Sequence, residues 1–314
     1  MLRELELENI RKKVLCYMKN TDKVYKNKLM AMKPPENLFK YFSLNKNTLN
    51  SLLENSMFAT NPLFFNDVFD SRNHNGDIDK LEDIKESIEN NRFIREHSTN
   101  MYRVVCLSEV SNSILMWSHY AESHTGICVE YNLAANESLS RWILPVKYLD
   151  KPIDVSNLYN LESKYNKEIE VAEIINLISK FNVWSYEKEW RIIFPFNING
   201  INKYDKGILI NKMIPKKIIL GCKFFNSLNY LNGNEYKQRI FYIKTLFKIA
   251  LDREIPISMY VENTGEFRIT EIEIDRNKIF NIISSDEYHL CYLELEYYII
   301  ELIKNNFIKS KIGG

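Results

Sequence analysis

Three short stretches carry residue types that can do chemistry. In Trp184-Ser185-Tyr186-Glu187-Lys188-Glu189-Trp190-Arg191, running into Ile192-Ile193-Phe194-Pro195, two glutamates alternate among aromatics. If the segment is extended, both carboxylates face one way. Such a pair suits recognition of a polar ligand or stabilisation of a cationic transition state. It equally suits a surface ion pair between Glu187 or Glu189 and Arg191. The second stretch holds Ser108-Glu109, Met116-Trp117-Ser118-His119-Tyr120-Ala121, His124, Gly126 and Glu130. Two of the chain's five histidines, His119 and His124, lie five apart beside Trp and Tyr. They fit the lining of a substrate pocket or a buried, hydrogen-bonded core. The HExxH spacing of a zinc site is absent and no metal is expected. The third stretch, Asn61-Pro62-Leu63-Phe64-Phe65-Asn66-Asp67-Val68-Phe69-Asp70, reads as a self-bonded turn over an apolar plug. Its functional alternative has Asn66 and Asp67 holding a ligand or a catalytic loop.

Strands and helices must position these groups. Leu38–Phe42 and Ser56–Thr60 read as strands, with a helix over Asn45–Glu54 capped by Asn45 or Asn47. Further strands are expected over Arg103–Leu107, Gly126–Tyr131, Ile143–Tyr148, Trp190–Phe196, Gly207–Ile210 and Lys217–Gly221. Helices are expected over Ser113–Ala121, Asn157–Asn182 and Asn234–Asp252. Residues 75–100 read as exposed helix and loop, and Ile257–Val261 with Phe267–Ile274 as a hairpin across Asn263-Thr264-Gly265. There is no regular βαβ alternation. The expected fold is therefore α+β, a mixed or antiparallel central sheet flanked by helices. Pro34 and Pro35 mark a joint. The expected organisation is a helical leader over 1–35, a core over 36–275 and a helical extension over 276–314. The last apolar helix, near Glu287–Ile308, is apolar on more than one face, which suggests burial against the core or a second subunit.

Composition sets outer bounds. The 314 residues are 45% hydrophobic and 13% aromatic, enough for a sizeable core. Forty-two basic against 41 acidic residues leave a net charge of +1, so nothing draws the whole chain to nucleic acid or an anionic membrane. Five cysteines with no CxxC pair fit reduced thiols and a cytoplasmic location. No apolar run is long enough to span a membrane.

The order FKYFSL, FATNPLFFNDVFD, VVCLSEV, LMWSHYAESHTGICVEY, YEKEWRIIFP and IPKKIILG resembles the bacterial domain-of-unknown-function family 2971, from about Leu38 to about Gly221 and more weakly to Ile274. Phe42 stands where that family usually has arginine. The Glu187-Lys188-Glu189 entry into a strand ending at Pro195 also resembles the catalytic strand of NAD-dependent ADP-ribosyltransferases. That second resemblance implies NAD as cofactor and Glu189, with Glu187, stabilising an oxocarbenium-like ribose. His119 and Tyr120 would join the catalytic set. Lys40, Tyr41, Asn66, Asp67, Trp117, His124 and Arg191 would bind the cofactor. The functional expectation is a defence or conflict effector, a toxin-like enzyme acting on a nucleotide-type ligand, with a protein or nucleic-acid acceptor and a homodimer through the last helix. The alternatives are a ligand-sensing or interaction module without catalysis, and a metal-dependent nuclease built on Asp67, Asp70, Glu109 and Glu189.

Overall fold

The computed structural model describes residues 4–18, 23–30, 34–71, 101–133, 139, 142–153, 155, 158, 167–195, 205–263, 265–284 and 288–312. The expected element over 75–100, the first part of the helix expected over Asn157–Asn182 and Thr264 of the expected hairpin turn lie outside them; the described part of that helix ends at Leu177, and Ser179–Phe181 is a strand where helix was expected. The fold is α+β, with mixed, mostly antiparallel strand pairing and helices around it. By contacts the chain gathers into two compact units built from interleaved segments: residues 1–36, 57–109 and 133–210, and residues 37–56, 110–132 and 211–314.

In the first unit, β3 (Tyr102–Ser108) pairs antiparallel with β2 (Ser56–Thr60) and with β8 (Glu189–Pro195). On its other side β8 pairs antiparallel with β5 (Ile143–Pro145). The strand expected over Ile143–Tyr148 breaks after Pro145. Its second half, β6 (Lys147–Leu149), runs parallel to β7 (Ser179–Phe181) in a separate two-stranded ribbon. Both edges of β8 are paired, and its faces are covered as well: Glu189, Trp190, Arg191, Ile192 and Ile193 are all buried. The leader forms two helices, α1 (Glu4–Tyr17) and α2 (Lys23–Met30). It is part of this unit's core: Ile10, Val14, Tyr25 and Leu29 pack with Val104, Ile193 and residues Ile174, Ile175 and Ile178 at the end of α5 (Lys167–Leu177) and just past it.

In the second unit the strand order is β12 (Ile269–Glu273), β11 (Ile257–Glu262), β10 (Pro215–Leu220), β4 (Ile127–Tyr131), β1 (Leu38–Phe42). Only β10 and β11 are parallel. A parallel pair needs a crossover, and α6 (Gly233–Asp252) supplies it. The helix α3 (Lys46–Glu54) starts at Asn45, whose side chain accepts from Thr48 N, and stops at Asn55 in the left-handed region. The short helix α4 (Ile114–Tyr120) lies against β1. Two helices close the chain, α7 (Arg276–Ser284) and α8 (Tyr288–Ile312). Leu295 and Tyr298 of α8 are buried while Tyr297 and Ile300 are exposed. No helix among the described residues is long and apolar enough to cross a membrane.

Gly126 shows how tightly the second unit is built. A Cβ there would lie 2.2 Å from the Phe42 carbonyl oxygen and 2.9 Å from the Ala121 backbone. Both obstacles are main chain and cannot swing aside. Gly126→Ala is expected to cost about 3 kcal/mol, whereas Asn45→Ala, which removes one helix cap, costs about 1 kcal/mol. Denaturant unfolding of the two variants checks the order.

Candidate functional site

In the first unit the charged residues of the YEKEWR stretch converge. Glu189 and Arg191 are two apart on β8, so their side chains share a face. Arg191 Nε donates to Glu189 Oε1 at 2.9 Å, and Nη2 to Oε2 at 3.1 Å. The fork is completed from elsewhere: Nη1 and Nη2 donate to Asp70 Oδ1 and Oδ2 at 2.7 and 2.6 Å, and Nη1 to the Leu177 carbonyl at 2.8 Å. A guanidinium has five N–H groups, and these five bonds engage them all. The Phe65 ring lies 5.0 Å from the guanidinium carbon. Ser71 Oγ donates to Asp70 Oδ1 at 2.9 Å, and Tyr148 Oη accepts from Glu189 N at 2.8 Å.

Glu187 is not in the strand, as the alternation suggested. It ends a 3-10 turn over Asn182–Glu187, and Lys188 follows at φ 44° to redirect the chain. The two glutamates still face one centre, because Lys180 of β7 bonds both: Glu187 Oε2 closely, Glu189 Oε2 at 3.2 Å. Asp70 Oδ2 lies 3.7 Å from the same ammonium, and the Trp184 ring covers it at 5.1 Å. Ser108 Oγ ties the Glu187 carbonyl at 2.6 Å. All five charged residues, Asp70, Lys180, Glu187, Glu189 and Arg191, are buried.

Burial alone pushes the Glu189 carboxyl up, but Arg191 and Lys180 outweigh it and hold the group well below the usual carboxylate range. Burial likewise opposes charge on Lys180, and so does the neighbouring Arg191, but Glu189, Glu187 and Asp70 together outweigh both, so the ammonium is held more firmly than usual. Lys180 also lines a feature that opens outward. A half-open cavity of about 220 Å³ is lined by Phe69, Leu149, Asp150, Lys151, Pro152, Ser179, Lys180 and Phe181.

The structure therefore changes several assignments. Arg191, expected to bind cofactor, is fully enclosed and its donors are satisfied within the protein. The ion pair of Glu189 with Arg191 exists, but it is buried and not on the surface. Asp67 makes the expected self-bonded turn, its Oδ1 accepting from Phe69 N at 2.9 Å, and Asn61 Oδ1 accepts from Leu63 N at 3.0 Å. Asn66 is exposed. Of the nuclease carboxylates, Asp70 and Glu189 do meet, but around Arg191 and Lys180. Glu109 instead accepts from Trp190 Nε1 at 2.6 Å and pairs with Lys28. Lys180 and the cavity it lines were not anticipated. A lone lysine among apolar residues in Leu177-Ile178-Ser179-Lys180-Phe181 was the only signal.

The aromatic and histidine cluster lies in the second unit. Trp117 is fully buried, edge-on to Tyr41 at 5.2 Å and to Tyr260 at 5.7 Å, and donates from Nε1 to the Ser111 carbonyl at 2.8 Å. Tyr41 Oη donates to the Val110 carbonyl at 2.9 Å. These two expected cofactor walls are thus core residues. Lys40 lies half-buried, with its ammonium 6.0 Å from the Phe42 ring. His119 is exposed and Tyr120 half-buried, their rings 6.2 Å apart. His124 takes a different position, stacked on Trp117 and bonded to Ser118 and Cys222.

Residues 116–192 match the model of a family described as protein of unknown function (DUF2971), which bears out that resemblance. The match takes in both the Trp117 to Tyr131 stretch and the Tyr186 to Ile192 stretch. No curated protein and no solved structure matches the chain.

Removing one member of a buried charge pair strands the other, at a typical cost of about 3–5 kcal/mol. Glu189→Gln and Arg191→Met are each expected to lose about that much stability. The folded-state pKa of Glu189 is depressed, so its contribution is fully present above the unfolded value of about 4.3 and is lost as pH falls below it. Acid unfolding followed by circular dichroism should show wild type losing stability between about pH 5 and pH 3 more steeply than Glu189→Gln does.

Proposed function

We propose that this protein binds a nucleotide-type ligand in the cavity beside Lys180. One observation carries the reading. It is the half-open cavity with Phe69 and Phe181 on its walls, cationic Lys151 and Lys180 and polar Ser179 and Asp150 among them. Both phenylalanines are exposed although large and apolar, at 64% and 40%. Phe69 follows a turn fixed by Asp67, and Phe181 ends a strand whose neighbour Lys180 is pinned by the buried carboxylates. The backbone at both phenylalanines is thus tied to neighbouring groups, which lowers the ordering cost of binding.

Size restricts what enters. Pockets that enclose a whole drug-sized molecule run to about 300–1,000 Å³. A cavity of about 220 Å³ takes a planar ring, a base or a nicotinamide, and leaves a phosphate tail outside it, with Lys151 among the lining residues as a cation for that tail. NAD is one ligand of this form. Binding fits the geometry better than direct chemistry by Glu189, because that carboxylate is already committed to Arg191 and Lys180.

Glycosyl transfer from NAD is the second reading, and charge counting favours it. Three carboxylates, Asp70, Glu187 and Glu189, share two cations, Lys180 and Arg191. The buried set thus carries one net negative charge beside the cavity, a field that would stabilise a cationic ribose.

Titration calorimetry with NAD, ADP-ribose and ATP tests the proposal. Binding is expected, with Lys151→Glu and Phe181→Ala each weakening it by about tenfold, equal to about 1.4 kcal/mol. No binding of any of the three by wild type, or equal binding by both variants, overturns it. Release of nicotinamide from NAD by wild type but not by Glu187→Gln would add the transferase reading to the binding one.

A further inference from the structure

We propose that Ser118 is an activated nucleophile, poised by a relay through His124 and Cys222 to Glu262, and that it takes an acyl ester as substrate. All four residues belong to the second unit, and none is used by the cavity described above.

The relay is a chain of contacts that admits two assignments of hydrogens, and one of them suits a nucleophile. Ser118 Oγ lies 3.1 Å from His124 Nε2, and His124 Nδ1 lies 3.5 Å from Cys222 Sγ. Cys222 Sγ is 3.8 Å from Glu262 Oε1 and donates to it. With the thiol hydrogen directed at Glu262, Nδ1 must carry the imidazole hydrogen and donate to sulfur. Nε2 is then bare and accepts from Ser118 Oγ. This is the tautomer a serine nucleophile requires of its base. Burial, reinforced by Glu262, raises the Cys222 thiol to about 11, so it stays a neutral donor.

The backbone holds His124 in place at a cost. Glu122, Ser123 and His124 follow one another in the left-handed region, at φ 51°, 53° and 72°. A residue with a Cβ is strained there, and such strain collects at working sites. Fixed contacts maintain it. His124 N donates to the Trp117 carbonyl at 3.2 Å, the His124 carbonyl accepts from Lys223 N at 3.1 Å, and the ring stacks on Trp117. Gly221 passes so close that a Cβ there would lie 2.1 Å from the His124 carbonyl oxygen. Ser118 itself is exposed, as a nucleophile must be.

Chemistry follows from the contacts. Ser118 Oγ attacks the ester carbonyl carbon while its proton passes to His124 Nε2. The acyl C–O bond breaks, and the leaving alkoxide takes that proton. Water then attacks the acyl-serine, losing its proton to Nε2. Ser118 leaves with it and a carboxylic acid is released. His124 works as a base only when neutral, and burial and then Lys223 lower its pKa, partly opposed by Glu262. The charged groups around it are Lys223 and Cys222 beyond β10, Glu262 on β11, and Glu122, which pairs with Arg239 of α6.

A fluorophosphonate probe and p-nitrophenyl acetate test the assignment on the full chain. Peptide mass spectrometry should find the phosphonyl group on Ser118, and ester hydrolysis should stop with Ser118→Ala. His124→Gln should slow labelling by roughly 100-fold. Glu262→Gln should move the pH inflection of labelling lower and Lys223→Gln higher, shifts that a purely structural role would not produce. Absence of the label from folded wild-type Ser118, or an unchanged rate in folded His124→Gln, overturns the proposal.

Discussion

The first unit depends on one buried guanidinium. Arg191 sits in the middle of a strand that has partners on both edges, where a charge without partners would cost many kcal/mol. It is tolerated because its five N–H groups all find acceptors. Those acceptors come from three separate stretches: Glu189 on the same strand, Asp70 at the end of the Asn-Pro turn, and the Leu177 carbonyl at the end of a helix. The guanidinium thereby fixes where each stretch must end. Lys180 extends the same constraint. It binds Glu187, Glu189 and Asp70, and so holds the ribbon that carries Phe181.

Buried ion networks are weak evidence for stability, since a well-packed apolar set of the same size often does as well. Their value here is positional. An apolar cluster tolerates small shifts, whereas a forked hydrogen-bond pattern is satisfied in one arrangement only. The cavity wall next to Lys180 inherits that precision. The net negative charge left in the network also sets the local field, which is why the ligand reading and the charge reading meet at one residue.

The second unit uses a different device, backbone strain held by packing. A fully buried Trp117 anchors both the start and the end of the loop that follows α4, through its carbonyl and its ring. Three left-handed residues in a row survive because Gly126 and Gly221 let neighbouring main chain approach where any side chain would collide. The histidine at the end of that loop is placed by backbone, so its ring nitrogens face fixed partners.

Local signals were legible in the sequence because local physics produces them. The apolar periodicity of α3, its cap at Asn45, the short apolar and aromatic runs of β1 and β4, the Asx turn of the Asn61 to Asp70 stretch and the stop at Pro195 involve neighbours a few residues apart. The family resemblance was legible too, carried by the residue types and order of six stretches, and the match over residues 116–192 bears it out. Nothing local could reveal that Asp70 lies against Arg191 across 121 positions, or that Lys180 binds both glutamates. A charged residue in a strand reads as exposed until its partners are known, so Glu189 looked available for chemistry when it was committed to structure. The same limit hid Cys222, 98 positions from the imidazole it touches, and hid the packing of the leader helices into a core formed by later residues. Sequence by itself determined the α+β class, most of the elements and the cap at Asn45. The tertiary structure decided which charges are satisfied and which groups remain free to act, because burial and long-range pairing set the energy of a charge.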